Sequence, residues 1–231
     1  MQAIILAAGQ GMRLRPLTEH TPKPMVIFKG RPLLEYTLSI LPDEVDHVII
    51  VVGWLGDKIQ SHFGESFVGR KIDYVTQREP KGTFHAIKCA KDFLNKEPFL
   101  IVSGDDVYGK EDLVKVASSP SLSLLANHTE NPGRFGICKT GENGRLLSIV
   151  EKPQTFCGSL ANIGVYKLDH QIFDESVFVG QNGEEILAPM IGTLAPKTKI
   201  EVIPATLWHP IADLDDLARA QSISTQDRLV C

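Results

Sequence analysis

A chain of 231 residues, 43% apolar and 23% charged, is long enough to bury a substantial core and ordinary enough for one soluble globular domain, residues 1–231. Its 24 Lys and Arg against 28 Asp and Glu leave a net charge of −4, so it lacks the positive field of a nucleic-acid-binding domain, and anionic ligands must be met by local cations. Cys89, Cys138, Cys157 and Cys231 are scattered, with no CxxC pair and no histidine at zinc-ligand spacing, as unpaired thiols in a reducing, cytoplasmic compartment would be.

Gln2–Ala8 reads as an apolar strand that runs straight into a glycine-rich loop, a pattern unlike a secretory leader. Four more apolar runs follow: His47–Val52, Ile72–Thr76, Phe99–Ser103 and Leu122–Asn127. Between them, Leu33–Leu41, Asp57–Phe63, Thr83–Phe93 and Glu111–Ala117 have helical periodicity, with Thr83 as the N-cap of its own helix. Strands that are apolar throughout and separated by helices predict a parallel sheet covered on both faces. Ligands of such a sheet sit beyond the carboxyl ends of the strands, which points to the loops after Ala8, Thr76 and Ser103.

The second half is more mixed. Phe135–Thr140 and Leu146–Glu151 flank the hairpin signal Gly141-Glu142-Asn143-Gly144, and Ile163–Tyr166 and Ile200–Pro204 read as further strands. Glu184–Leu194 and Leu214–Ala220 read as helices. No run approaches the roughly 20 apolar residues of a membrane helix, and no linker or hexapeptide repeat divides the chain. The expectation is an α/β domain with a Rossmann-like, mixed but mainly parallel sheet flanked by helices. Residues 1–125 would form a nucleotide-binding half, and residues 126–231 a mixed half that closes over it.

In the first loop, Ala7-Ala8-Gly9-Gln10-Gly11-Met12-Arg13-Leu14, two glycines let backbone N–H groups approach a phosphate or a base. Arg13, and Lys23 within Thr21-Pro22-Lys23-Pro24, supply cations. The dinucleotide fingerprint fails because Leu14 stands where its third glycine belongs, and the Gly-Lys-Ser/Thr of a P-loop is missing. After the third strand, the amide of Gln77 matches the N3–H and O4 edge of uracil or thymine, and Gly82 lets backbone approach the base. The fourth strand ends in Gly104-Asp105-Asp106, where a carboxylate opposite a phosphate-binding loop suits Mg²⁺. Alternation lets only one of the two face the site.

The string Leu6-Ala7-Ala8-Gly9-Gln10-Gly11-Met12-Arg13-Leu14-Arg15-Pro16-Leu17-Thr18, followed by Pro22-Lys23-Pro24-Met25, closely resembles the sugar-phosphate nucleotidyltransferase family. That family includes glucose-1-phosphate thymidylyltransferases and N-acetylglucosamine-1-phosphate uridyltransferases. The resemblance implies the nucleotide-diphospho-sugar transferase fold and Mg²⁺ as cofactor. It implies a nucleoside triphosphate, UTP or dTTP before others, and a sugar 1-phosphate as substrates, joined by in-line attack without a covalent intermediate. By resemblance, Leu6, Ala8, Gly9 and Gly11 hold the nucleotide, and Arg13 and Lys23 the reacting phosphates. Gln77, Pro80, Gly82 and Thr83 read the base, and Asp105 binds the metal, which leaves Asp106 as a cap or a solvent-facing charge; His85 by itself reads as a structural helix residue and not as a catalyst.

Glu151-Lys152-Pro153 resembles the family's Glu-Lys-Pro motif, with Glu151 on sugar hydroxyls and Lys152 on the sugar phosphate. Its place between Arg134-Phe135-Gly136 and Ala161-Asn162-Ile163-Gly164-Val165-Tyr166 adds Gly136 and Asn162 as sugar contacts. The resemblance breaks at Trp208-His209-Pro210-Ile211-Ala212-Asp213, because Pro210 stands where the family carries its second metal-binding Asp. Asp213 can replace that ligand or N-cap the last helix, and His209 is a weaker substitute. The break keeps open a non-catalytic sensor of a nucleotide or nucleotide sugar. A cytidylyltransferase acting on a non-sugar phosphate such as phosphocholine is a second alternative. A homo-oligomer is compatible with each.

Overall fold

The apolar runs of the first half become neighbouring strands of one sheet in a computed structural model that describes residues 1–222; Cys231 lies outside the described residues. β1 (Gln2–Ala7), β2 (His47–Val52), β3 (Arg70–Thr76) and β4 (Phe99–Ser103) pair in parallel in the spatial order β4-β1-β2-β3. The crossovers carry α1 (Leu33–Ser39), α2 (Gly56–Phe63) and α3 (Thr83–Ala90). The chain steps outward from β1 to β3 and then returns to the other side of β1, and such a reversal opens a crevice beyond the carboxyl ends of β1 and β4.

Period-two alternation divides the strand residues between two layers. Ile4, Ile49 and Ile101 pack with Phe84 and Ile87 of α3, whereas Ile5, Ile50 and Val102 pack with Leu34 and Leu38 of α1. Each such side chain contributes about 1.5–3 kcal/mol when buried, which fixes the register of the strands and the position of their ends.

β5 (Leu122–His128), β6 (Gly136–Thr140), β7 (Leu146–Glu151), β8 (Leu160–Leu168) and β9 (Ile200–Pro204) extend this sheet. β8 runs antiparallel to β4 and continues the order as β7-β6-β8-β4-β1-β2-β3. β5 departs from the expected parallel series. With β8 on the free edge of β4, β5 pairs antiparallel with β8 and parallel with β9, after the helix α4 (Lys110–Ser118). The hairpin signal holds, since Asn143 and Gly144 take φ of 56° and 70° between β6 and β7.

Two expected helix starts shift. The helix read over Glu184–Leu194 is α5 (Leu187–Leu194). A start at Glu184 would require an N–H from Pro189 for the carbonyl of Glu185, whereas a start at Leu187 keeps the proline in the first turn. Thr83 is the first residue of α3 and not its N-cap. Gly82 holds the cap position, and the Thr83 hydroxyl accepts the amide of Leu187 at 3.0 Å. Among the described residues, no helix is long and apolar enough to cross a membrane.

Candidate active site

The loop after β1 leaves Gly9 and Arg13 exposed, but Leu14 is fully buried and anchors the turn Met12–Leu14. Thr18 Oγ1 donates to the carbonyl of Gly11 at 2.8 Å and holds the loop against the following segment. A second short turn, Lys23–Met25, brings Lys23 Nζ to 2.6 Å from Asp105 Oδ2, just past the end of β4. Burial disfavours the charge on Lys23, yet Asp105 and Asp106 outweigh it and its pKa is raised.

The two adjacent carboxylates do diverge, but Asp106 is neither a helix cap nor a solvent-facing charge. Its oxygens accept the Trp208 indole N–H at 3.1 Å and the Ile211 amide at 2.9 Å. Enclosure and the neighbouring Asp105 push its pKa up to about 6. Asp106 thus ties down the loop that carries Pro210.

Among the described residues, no three His, Cys, Asp or Glu side chains gather as a metal cage. Asp105 alone suits the way Mg²⁺ is held by one or two carboxylates together with substrate phosphates and water, and its ammonium partner marks a position suited to a cation. Asp213 is the N-cap of α6 (Leu214–Ser222). Its Oδ1 accepts the Asp216 amide at 2.9 Å, and its Oδ2 lies 3.4 Å from the Arg134 guanidinium. Both oxygens are engaged in holding the helix start, so its candidacy as a ligand gains nothing. His209 is half-buried, and burial and nearby Lys29 lower its pKa.

Beyond β3, Gln77 is buried while Pro80 stays exposed. The Gln77 amide nitrogen donates to the carbonyl of Gly82 at 2.9 Å and lies 3.1 Å from His85 Nδ1. His85 is a structural helix residue, and the structural role it fills is to orient Gln77. Its spacing three residues beyond Gly82, in the first turn of α3, is the signal that was available in the sequence.

A cavity of about 210 Å³ opens beyond β6, β7 and β8, and Gly136, Glu151 and Asn162 line it together. Gly136 stands opposite Glu151 in the β6–β7 register, and a Cβ there would come within 2.9 Å of Glu151 Oε2. Burial raises the pKa of Glu151, against the pull of the Lys152 ammonium 3.7 Å away. Lys152 itself is 62% exposed, with a φ of 41° that is uncommon for a side-chain-bearing residue. Asn162 Nδ2 donates to the buried Tyr166 hydroxyl at 2.7 Å, which fixes the amide. Thr83 also lines this cavity, and so do Phe135 and Trp208, in edge contact with 5.1 Å between ring centroids. Those two aromatic walls carried no signal of their own in the sequence.

The sequence profile of the nucleotidyl transferase family matches residues 2–222. The chain belongs to this family. It is 32% identical over 227 residues to the bifunctional protein GlmU of Methanococcus maripaludis, covering 96% of this chain and 54% of the relative. It is 34% identical over 180 residues to the UTP–glucose-1-phosphate uridylyltransferase AglF of Haloferax volcanii, covering 75% of this chain and 74% of the relative. The chain thus spans about half the length of the bifunctional relatives it matches. Among solved structures, a UDP-glucose pyrophosphorylase complexed with UDP-glucose superposes with a TM-score of 0.85 at 21% identity, over 95% of this chain and 96% of that one. The nucleotidyltransferase fold, a mainly parallel sheet flanked by helices, is shared throughout.

Proposed function

We propose that this domain condenses a nucleoside triphosphate with a sugar 1-phosphate, giving a nucleotide sugar and pyrophosphate. The observation that carries the proposal is the Lys23–Asp105 pair, 2.6 Å apart at the reversal point of the sheet. The glycine-rich loop follows one neighbouring strand, and a cavity of sugar size that presents Glu151 and Asn162 lies beyond the others. The reaction named for the Haloferax volcanii relative supports the same substrate class.

In the proposed reaction an oxygen of the sugar phosphate attacks the α-phosphorus in line. The new P–O bond forms as the bond to the β-phosphate oxygen breaks, and pyrophosphate leaves. The obstacle is the meeting of two anions, so catalysis consists of positioning and charge neutralisation. One pair of unit charges at about 4 Å is worth about 4 kcal/mol at an effective dielectric near 20. Arg13 and Lys23 would meet the triphosphate, and Lys152 the sugar phosphate, with Lys23 exchanging Asp105 for phosphate oxygens. Asp105 is the residue that would hold Mg²⁺, which would supply further charge neutralisation on the reacting phosphates.

Gln77 commits its amide N–H groups to Gly82 and His85, so its carbonyl oxygen is the group it would offer a base. Uracil and thymine present a donor at N3 that this oxygen can accept. This supports UTP or dTTP. Glu151 and Asn162 would take the sugar hydroxyls, and Gly136 would leave room for them.

The test is pyrophosphate release with Mg²⁺, across UTP, dTTP, GTP, CTP and ATP against several sugar 1-phosphates. Release confined to UTP or dTTP with one sugar phosphate is expected. Nucleotide binding by calorimetry without release from any pair would reject the enzyme in favour of a sensor. Release with CTP and phosphocholine would reject the sugar.

A further inference from the structure

We propose that Thr83 is a positioning residue that couples the occupied base site to the shape of the sugar cavity. The inference rests on the base and sugar sites proposed above and goes beyond them to how one affects the other. Gln77 donates to the carbonyl of Gly82, so a base held by Gln77 bears directly on the peptide that opens α3. Around that peptide, the segment before α5 lies against the segment before α3. The Glu185 amide donates to the carbonyl of Lys81 at 2.7 Å, and the Phe84 amide donates to the carbonyl of Glu185 at 3.0 Å. The contact is close enough to require Gly82. Its φ is 93°, and a Cβ there would stand 2.5 Å from the carbonyl oxygen of Glu185.

The last link of this junction uses a side chain. The first amide of α5 has no partner within its own helix, and no side-chain cap comes from Ile186. Thr83 supplies the missing acceptor from across the junction, with its hydroxyl 3.0 Å from the Leu187 amide. Ile186 and Ala188, on either side of Leu187, line the sugar cavity, as Thr83 does. The body of α5 rests on β7, where a Cβ on Gly192 would meet the Ile149 amide nitrogen at 2.7 Å. β7 ends in Glu151. The base site and the proposed sugar-binding carboxylate are therefore joined by a contiguous chain of contacts, from Gln77 to Gly82, from Thr83 to Leu187, and along α5 from Gly192 to Ile149 of β7. When Gln77 and Gly82 are fixed by a base, the Thr83–Leu187 bond fixes one wall of the sugar cavity. Coupling of this kind is reciprocal.

Calorimetry on the full chain with glucose 1-phosphate and uridine tests it. Uridine fills the base site without a phosphate, so an effect on the second ligand is not charge repulsion. Saturating uridine is expected to tighten glucose 1-phosphate binding by roughly fivefold or more. Thr83→Ser keeps the hydroxyl and should keep that factor. Thr83→Val keeps the branched shape without the acceptor and should bring the factor close to one, whatever its affinity for each ligand alone. If Thr83→Val is poorly folded, hydrogen exchange on the unaltered protein decides, and uridine should slow exchange at the Leu187 amide. A Thr83→Val protein with undiminished coupling, or wild-type protein that binds both ligands independently, would overturn the proposal. Wild-type protein that binds neither ligand would instead overturn the assignment of the two sites, and the coupling with it.

Discussion

Gly9 and Arg13 stand exposed on the loop beyond β1, whereas Glu151 and Asn162 are set into strands, with their partners already in contact. The proposed triphosphate site is thus open, and its one enclosed cation, Lys23, is bound to Asp105. The proposed sugar site is preorganised, with the carboxylate of Glu151 backed by Gly136 and the amide of Asn162 locked by Tyr166. The difference teaches where each half spends its interactions. An open loop admits a highly charged ligand and forms its contacts late. A built cavity discriminates among uncharged hydroxyls, whose individual hydrogen bonds are weak unless their partners are held in place.

The contrast can be broken most directly at the cation. Lys23→Ala removes the cation proposed to meet the reacting phosphates and breaks its pair with Asp105. It is expected to lower kcat/KM for pyrophosphate release by roughly 10² or more. Turnover near the wild-type value would remove Lys23 from the mechanism and make the open site less dependent on it than on Arg13.

A smaller effect is expected in the preorganised cavity. Gly136→Ala introduces a Cβ within 2.9 Å of Glu151 Oε2, so the carboxylate must move by a few tenths of an ångström. The KM for the sugar 1-phosphate should rise roughly tenfold, with a smaller rise in the KM for the triphosphate. An unchanged KM for the sugar 1-phosphate would remove Gly136 from the sugar cavity.

A further effect, on stability and not on turnover, concerns Asp106, which lies at the seam between them. Its pKa rises from 3.8 to about 6 in the folded protein, so the folded state binds this proton more tightly than the unfolded chain does. The stability it contributes is complete below pH 3.8 and is lost as the pH rises through about 6. Urea denaturation between pH 4 and 7 should show wild type losing on the order of 1–3 kcal/mol relative to Asp106→Asn. Parallel pH profiles for the two proteins would mean that Asp106 is not enclosed as described.

The layered α/β plan was legible because period-two apolar strands and helical segments are local patterns, and burial on both faces leaves them one arrangement. The glycine-rich loop, the Gln77 segment and Asp105 were legible too, since each sits at the carboxyl end of a strand by chain order alone. Other features were decided only by tertiary contacts between distant segments. β5 pairs with β8 because the free edge of β4 is taken by a strand about forty residues further on. Asp106 turns inward because Trp208 and Ile211 bring donors to it, and Thr83 leaves its own helix start to serve that of α5. Short polar side chains accept whichever donor the fold delivers, and a hydrogen bond carries no periodicity along the chain. The sequence therefore determined which segments are apolar and where its glycines and charges stand, while the packed structure chose their partners.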